Sequence, residues 1–290
     1  MNGGPKAFRP TEYRRAESLD EAVRLLAQAG SAACPIAGGT DLIVEKDPTI
    51  QTLVDVTSLG LDFIRLDEKG LVIGAATRIA DIGTSSVLGG PYQILAEAAR
   101  ELGTPQIRNM ATLGGNLCRP SPAADMAPPL LVLEAILQVV GVRGERRVRI
   151  DEFFKGVKKD GLEPGEILAE IHLPPVQKSV GTAFLKKGRV AAGDLSVVSV
   201  AAWVSKESDG RCEEARIALG SVAPVPLRVR KAESLLKGKA PNQELLKRVA
   251  EEASGEITPI SDIRSSSEYR RTLSRALVER ALIRALERVS

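Results

Sequence analysis

Two diglycine segments constrain the fold of this chain more than any other feature of its sequence. The first ends a short apolar run and reads Pro35-Ile-Ala-Gly-Gly-Thr-Asp-Leu42. The second reads Thr112-Leu-Gly-Gly-Asn116, and prolines and Asp125 follow it. Because glycine has no Cβ and adopts positive φ at little cost, the backbone N–H groups of such segments can approach a ligand closely. The two segments therefore predict a pair of turns that bind phosphate from two sides.

Neither segment has the spacing of a common phosphate-binding motif. No G-x-G-x-x-G follows a strand and no G-x-x-x-x-G-K-[ST] occurs, so the sequence predicts neither a Rossmann dinucleotide site nor a P-loop. An isolated diglycine is more often a plain tight turn. The phosphate hypothesis therefore requires both segments to meet in the folded chain.

Composition excludes several classes of function. Forty basic and 37 acidic residues give a net charge of +3, and only nine residues are aromatic (five Phe, three Tyr and one Trp), so nothing indicates nucleic-acid binding. No apolar run approaches the roughly 20 residues of a membrane span, and the N-terminus lacks the pattern of a signal peptide. These features predict a cytoplasmic protein without a membrane span.

Cysteine and histidine content argues against metal sites and hydrolytic chemistry. Cys34, Cys118 and Cys212 are odd in number and widely spaced, so they predict no four-cysteine iron–sulfur or zinc site. The one histidine, His172, lies in an alternating strand pattern and is more typical of a surface or packed residue. No metal ligand and no catalytic triad is predicted.

The order of the predicted elements indicates an α+β fold. A capping box at Ser18–Glu21 begins a helix, and two short strands complete a first lobe. Hairpin strands and short helices continue until consecutive prolines end a strand. Three further strands and two helices then predict an antiparallel sheet covered by helices. The predicted domains are 1–175, with lobes of about 1–57 and 58–175, and 176–290.

Five motifs occur in an order that is hard to obtain by chance, and they extend over nearly the whole chain. They are Ala37-Gly-Gly-Thr-Asp41, Thr112-Leu-Gly-Gly-Asn116 with Ser121-Pro-Ala-Ala-Asp125, Asp194-Leu-Ser-Val-Val-Ser-Val-Ala-Ala202, Ile217-Ala-Leu-Gly-Ser-Val-Ala-Pro224, and Asp262-Ile-Arg-Ser-Ser-Ser-Glu-Tyr-Arg-Arg271. The set resembles the FAD-binding medium subunit of the molybdenum hydroxylases, which include carbon monoxide and xanthine dehydrogenases. The resemblance implies a two-lobed FAD-binding domain of the PCMH type, followed by a CO dehydrogenase flavoprotein C-terminal domain.

The resemblance also implies which residues bind FAD. The diglycine segments would contact the pyrophosphate, Leu168 and Lys186 would lie near the isoalloxazine, and the segment containing Asp194 and Leu195 would shield one face of the ring. The implied set is Pro35, Ile36, Ala37, Gly38, Gly39, Thr40, Asp41, Leu42, Leu102, Thr112, Leu113, Gly114, Gly115, Asn116, Cys118, Asp125, Leu168, Lys186, Asp194 and Leu195.

Several of these residues have alternative roles. Asp41 and Asp125 would be repelled by phosphate, so we expect them to accept hydrogen bonds from ribose or ribityl hydroxyls or to cap a helix. Cys118 is favoured as a small buried residue over covalent flavin attachment or thiol catalysis. Arg108 and Arg119 could neutralise phosphate or be solvated. Tyr269, Arg270 and Arg271, in the last motif, could be structural, contact another subunit or contact flavin.

The function implied by the resemblance is electron transfer within a hetero-oligomer. FAD would take electrons from an iron–sulfur small subunit and pass them to NAD, a quinone or another acceptor, while a large subunit with a molybdenum cofactor oxidises the substrate. Two alternatives are a stand-alone FAD-dependent reductase and a non-catalytic nucleotide-binding protein on the same fold. The first would need its own substrate pocket and proton donor, for which the sequence has no signature.

Overall fold

The computed structural model describes residues 8–176, 179–190 and 193–289. The predicted α+β fold is confirmed, with three sheets in these ranges. Residues 1–7, on which the argument about a signal peptide rests, lie outside them. None of the helices in the described ranges combines the length and apolarity that a bilayer crossing requires.

Strands and helices alternate only near the N-terminus, and elsewhere they mostly follow one another in runs of one kind. The strands are β1 (Glu12–Arg15), β2 (Ala33–Ile36), β3 (Thr52–Asp55), β4 (Ile64–Asp67), β5 (Gly70–Gly74), β6 (Ile136–Gly141), β7 (Gly144–Arg149), β8 (Ile167–Leu173), β9 (Val180–Lys187), β10 (Val198–Lys206), β11 (Cys212–Gly220) and β12 (Leu227–Arg228). The helices are α1 (Leu19–Ala29), α2 (Leu42–Glu45), α3 (Ile79–Thr84), α4 (Gln93–Glu101), α5 (Pro105–Met110), α6 (Leu113–Cys118), α7 (Ala127–Val132), α8 (Ile150–Phe153), α9 (Arg230–Leu236), α10 (Gln243–Glu256) and α11 (Ser267–Glu287).

The first lobe is a parallel sheet in the order β1–β3–β2 with α1 packed against it. The predicted N-cap forms: the Ser18 hydroxyl accepts a hydrogen bond from the Glu21 N–H at 3.2 Å. The Glu21 carboxylate accepts one from the Glu17 N–H at 2.8 Å, and not from the Ser18 N–H as in a complete capping box. Strand β2 lies at the edge of the sheet, and its residues are half-buried. The first diglycine segment, which follows β2, therefore begins at an edge of the sheet.

The second lobe is an antiparallel sheet in the order β4–β5–β8–β6–β7, and α3, α4, α6 and α7 contribute to its core. The same apolar cluster includes Phe184 of β9 and Trp203 of β10. The proposed boundary near residue 175 thus separates two sheets that share a core. This shared core places the end of β9 beside the segment that follows α6.

The C-terminal sheet has the antiparallel order β12–β11–β10–β9, and α10 and α11 pack together, with α11 across β9 and β10. An apolar stripe on α11 faces this sheet, as its periodicity predicts, and its buried members include Leu277, Ala281, Leu282 and Ala285. Strands β1 and β12 and helix α9 were not predicted. The two strands are too short to produce a clear alternating pattern.

The contacts of the Arg270 guanidinium show the role of this residue of the last motif. Arg270 is 1% exposed and donates hydrogen bonds to the carbonyl oxygens of Val197 at 2.7 Å and Ser221 at 2.9 Å. It also pairs with the Asp262 carboxylate at 2.8 Å. Although desolvation opposes the shift, hydrogen bonds from Arg264 and Arg270 hold the pKa of Asp262 well below its usual range. Arg270 is therefore a structural residue that joins the start of α11 to the C-terminal sheet.

Candidate functional site

The two diglycine segments meet in the folded chain. A Cβ on Gly38 would overlap the carbonyl oxygen of Met110, which lies two residues before Thr112. At the other end of α6, Arg119 forms a salt bridge with Glu45 of α2, with 3.2 Å between Nη1 and Oε2. The same guanidinium donates to the Cys34 sulfur at 3.5 Å. We call this region, residues 34–45 with Met110 and 112–119, the diglycine junction.

The first diglycine segment offers free backbone donors at this junction. Among the described residues, no hydrogen bond has the N–H of Gly38, Gly39, Thr40, Asp41 or Leu42 as its donor. Residues 35–40 are all half-buried, and Gly39 has a φ of 66°, in the left-handed region that favours glycine. A row of unused N–H groups at a bend can bind an anion such as phosphate.

Asp41 precedes α2, but its side chain makes no capping hydrogen bond to that helix. The capping alternative for this residue is therefore wrong. Partial burial, together with the nearby Glu45 carboxylate, raises the pKa of Asp41.

The second diglycine segment is not the turn that the sequence predicted. It forms the short helix α6, whose Thr112 hydroxyl accepts a hydrogen bond from the Gly115 N–H at 3.1 Å. The N–H of Leu113 donates to the carbonyl oxygen of Thr77 at 2.9 Å, and the N–H of Gly114 donates to that of Ala75 at 2.7 Å. The first backbone N–H groups of α6 therefore already have acceptors within the protein. The expectation that both diglycine segments offer N–H groups to phosphate was wrong for the second segment.

The two glycines of this second segment have different surroundings. A Cβ on Gly114 would lie 2.8 Å from both Cβ and the carbonyl oxygen of Ala75, so this glycine permits close packing. Gly115 is exposed, and a Cβ there would meet only its own cap, the Thr112 hydroxyl, at 3.0 Å. Gly115 therefore leaves the outer surface of α6 open to close approach.

Two side chains near α6 have buried oxygen atoms without a protein partner. These atoms are Oδ1 of Asn116 and Oδ1 of Asp125, both buried within the described residues. Buried polar atoms in proteins nearly always have a hydrogen-bond partner, because leaving them unpaired is costly. A ligand that carries hydroxyl or N–H groups would satisfy both atoms, so the residues present fit FAD.

Asp125 forms a buried ion pair with Lys186. Its Oδ2 lies 2.6 Å from the Lys186 Nζ, and the two side chains are 4% and 5% exposed. The same ammonium donates to the carbonyl oxygen of Glu101 at 2.8 Å. Burial raises the pKa of Asp125 to about 6, although Lys186 acts in the opposite direction. The pair joins the segment after α6 to the end of β9, and the sequence did not predict it.

Other parts of the implied isoalloxazine site lie at residues 101–104, where the Glu101 carbonyl oxygen accepts from Lys186. Leu102, 8% exposed, directly follows Glu101, and a Cβ on Gly193 would lie 2.9 Å from Thr104 Cγ2. The segment that contains Leu195 therefore lies against Thr104, and Leu195 itself is 54% exposed.

Two further residues of the implied set have partners within the protein. Asp194 closes its own loop: Oδ2 accepts from the Arg189 N–H at 2.7 Å and Oδ1 from the Leu195 N–H at 2.9 Å. Leu168 is a buried residue of β8, paired with Val139 of β6. The Asp194 carboxylate is thus engaged within its own loop, and the backbone or apolar contact implied for Leu168 stays a prediction.

Neither cysteine of the junction is activated. Burial raises the pKa of the Cys118 thiol well above its usual range. Burial also raises the pKa of Cys34, although Arg119 opposes it. Both therefore stay protonated near neutral pH, which agrees with the structural role favoured for Cys118. No group of three or more metal-ligating side chains lies together in the described parts of the chain.

An open groove next to this region is lined in part by Lys186. It has a volume of about 580 Å³ and separates the end of β9 from α11. Leucine, isoleucine and basic side chains line it, and none of the diglycine residues does. The groove therefore is not the predicted phosphate site.

Comparisons with known proteins agree with this arrangement. A model described as the FAD binding domain in molybdopterin dehydrogenase matches residues 6–176, and one described as the CO dehydrogenase flavoprotein C-terminal domain matches residues 183–285. The xanthine dehydrogenase FAD-binding subunit of Escherichia coli O157:H7 is 35% identical over 94% of this chain and 95% of its own length. The carbon monoxide dehydrogenase medium chain of Hydrogenophaga pseudoflava is 34% identical over 93% and 95%.

A solved structure, reconstituted CO dehydrogenase from Oligotropha carboxidovorans, superposes with a TM-score of 0.92 at 32% identity. The match covers 97% of this chain and 99% of that one. Both family models and both relatives are named for FAD-binding or dehydrogenase subunits, and the matches extend along nearly all of the chain. This chain therefore belongs to the family of FAD-binding medium subunits of molybdenum hydroxylases, of the carbon monoxide and xanthine dehydrogenase type, and its cofactor is FAD.

Proposed function

We propose that FAD binds across the diglycine junction and the Asp125–Lys186 pair, and that this chain uses it to relay electrons between subunits. The observation that carries the proposal is the junction itself: the segment with unused N–H groups at residues 38–42 lies against Met110 and Ala111, just before a capped helix with an exposed glycine. When bound, FAD supplies the redox chemistry, because it can exchange electrons singly or in pairs. The protein binds and orients it.

Each end of the proposed site suits a different part of the cofactor. The free N–H groups suit the pyrophosphate, because charge-assisted hydrogen bonds to phosphate oxygens are strong. The unpartnered oxygens of Asn116 and Asp125 suit hydroxyl or N–H donors. Lys186 places a buried positive charge at the end where the resemblance puts the isoalloxazine.

The partners belong to the same proposal. We assign this chain to a hetero-oligomer with a molybdenum-cofactor large subunit and an iron–sulfur small subunit. The iron–sulfur subunit would deliver electrons, and NAD, a quinone or another acceptor would remove them. Support comes from relatives that are named as single subunits or chains of dehydrogenases and that this chain matches along nearly their whole length. The cytoplasmic location stays a prediction.

Gly115→Ala tests whether the cofactor approaches α6. The added methyl group stands on an exposed helical position, so the fold should persist, but we expect FAD affinity to fall at least about tenfold, or 1.4 kcal/mol. The measurement is an FAD titration of the apoprotein by flavin fluorescence.

The matched control is Gly255→Ala, another exposed glycine within a helix, where a Cβ would meet no atom within 4 Å. It should leave FAD affinity unchanged and stabilise the fold by about 0.5–1 kcal/mol. Equal FAD affinity in both variants would show that the cofactor does not contact this surface of α6.

The two alternative functions make different predictions for the purified chain. A stand-alone reductase would oxidise or reduce a small substrate without larger metal-containing partners. A non-catalytic nucleotide-binding protein would lack flavin absorbance and take up no added FAD. Purification from the native host, with metal and flavin analysis, distinguishes both from the electron-transfer subunit.

A further inference from the structure

The carboxylate of Glu45, just after the first diglycine segment, forms salt bridges with two cationic side chains. Its Oε2 lies 3.2 Å from Arg119 Nη1, and its Oε1 lies 2.8 Å from Lys158 Nζ. Glu45 is the last residue of α2, which directly follows the bend with free N–H groups. Through this one carboxylate, the two cations therefore hold the bend in place.

Both cations are fixed by the second lobe. Arg119 ends α6, where its N–H donates to the carbonyl oxygen of Gly115 at 3.2 Å. Lys158 stands in a tight turn with a φ of 57°, and its N–H donates to the Pro120 carbonyl oxygen at 3.0 Å. Both anchors thus belong to the segment around α6, so Glu45 links the first lobe to the second across the junction.

Helix α2 depends on such links for its position. It has four residues and is followed by Lys46 in the left-handed region, at a φ of 53°. A helix this short is not stable by itself, so tertiary contacts must hold it in place. Among its residues only Leu42 is buried, which leaves the Glu45 pairs as its main polar attachment.

The charge of Glu45 would by itself oppose the proposed ligand. A carboxylate close to a diphosphate repels it, and Glu45 also engages two cations that could otherwise face the phosphates. If Glu45 acted only through its charge, removing that charge would tighten FAD binding. If it acts by holding the bend, removing the charge would loosen binding.

We propose that Glu45 is a positioning residue whose salt bridges with Arg119 and Lys158 hold the first diglycine bend against α6. The rate at which these salt bridges break then controls the rate of FAD release. The inference rests on the proposed FAD site and adds a residue to it. It predicts a specific effect on dissociation, because the bend must loosen before its N–H groups release the pyrophosphate.

The test is Glu45→Gln in the full chain, with FAD release and FAD uptake measured separately by stopped-flow flavin fluorescence. We expect release to be about five- to thirtyfold faster and uptake to change less than about twofold. Lys158→Met should give a smaller acceleration. Raised salt should speed release from the wild-type chain more than from Glu45→Gln, because these half-exposed pairs are screened.

Glu163→Gln is the matched control, because Glu163 forms a more exposed pair with Arg143 within the second lobe, away from the junction between the lobes. It should leave both rates unchanged. Release from Glu45→Gln that is unchanged or slower than from the wild-type chain would overturn the inference while the FAD site stands. A wild-type chain that takes up no FAD would overturn the proposed site and this inference with it.

Discussion

Gly38→Ala is expected to abolish FAD retention and to lower the free energy of unfolding by about 3 kcal/mol. The new Cβ would overlap the Met110 carbonyl oxygen and lie 2.5 Å from its carbon, so two backbone segments would have to separate. No side-chain rotation can relieve this clash. Separation would displace the bend from α6, which is the arrangement that the FAD site requires. Urea unfolding of the apoprotein and the flavin-to-protein ratio measure the two effects.

The control for this substitution is Gly89→Ala. Gly89 has a φ of −95°, and a Cβ there would meet no atom within 4 Å. This variant should keep wild-type stability and flavin content. If Gly38→Ala behaved in the same way, the close contact between the two segments would be wrong.

Lys186→Met is the second substitution with a large expected effect. It leaves the Asp125 carboxylate buried without its cation, and breaking a buried pair in this way costs about 3–5 kcal/mol. We expect the deficit to depend on pH, because burial already raises the pKa of Asp125 to about 6 and losing Lys186 would raise it further.

The direction of that dependence follows from the raised pKa. A carboxyl whose pKa is higher in the folded chain favours folding when it is protonated, so its contribution is present below its unfolded pKa of about 4 and is lost as pH rises through the folded value. The variant should therefore be closest to wild-type stability near pH 4 and furthest from it above pH 6. Urea unfolding at pH 4, 6 and 8 measures this.

Two further variants separate charge from packing at Lys186. Lys187→Met removes the neighbouring exposed lysine and should change stability little at any of these pH values. Combining Lys186→Met with Asp125→Asn removes the unpaired charge and should restore most of the stability above pH 6, without restoring FAD affinity. A deficit that is the same at all three pH values would show that Asp125 is not the cause.

Local patterns predicted much of the fold. The N-cap at Ser18 and the apolar stripe on α11 are both signals within one element, and both appear in the structure. The resemblance implied a cofactor contact for Asp125 and another for Lys186, but it did not predict that the two side chains pair. No local pattern connects a proline-rich segment with the end of a strand.

The second diglycine segment shows why the rest could not be predicted. Glycine has low helix propensity, so two consecutive glycines indicate a turn. In the folded chain, carbonyl oxygens of Ala75 and Thr77 satisfy the first N–H groups of α6, and contact with Ala75 requires Gly114 to lack a side chain. Tertiary contacts thus override the local preference. The pair of Glu45 with Arg119 is equally invisible in the sequence, because its members lie in different lobes.

Amide-resolved hydrogen exchange, compared between the apoprotein and the FAD-loaded chain, tests the central claim most directly. The account predicts that FAD protects the amides of residues 38–42, which have no acceptor within the described protein. The amides of Leu113 and Gly114 should be protected in both states, because they already donate to backbone carbonyls. Protection that FAD adds at residues 113–115 but not at 38–42 would contradict it.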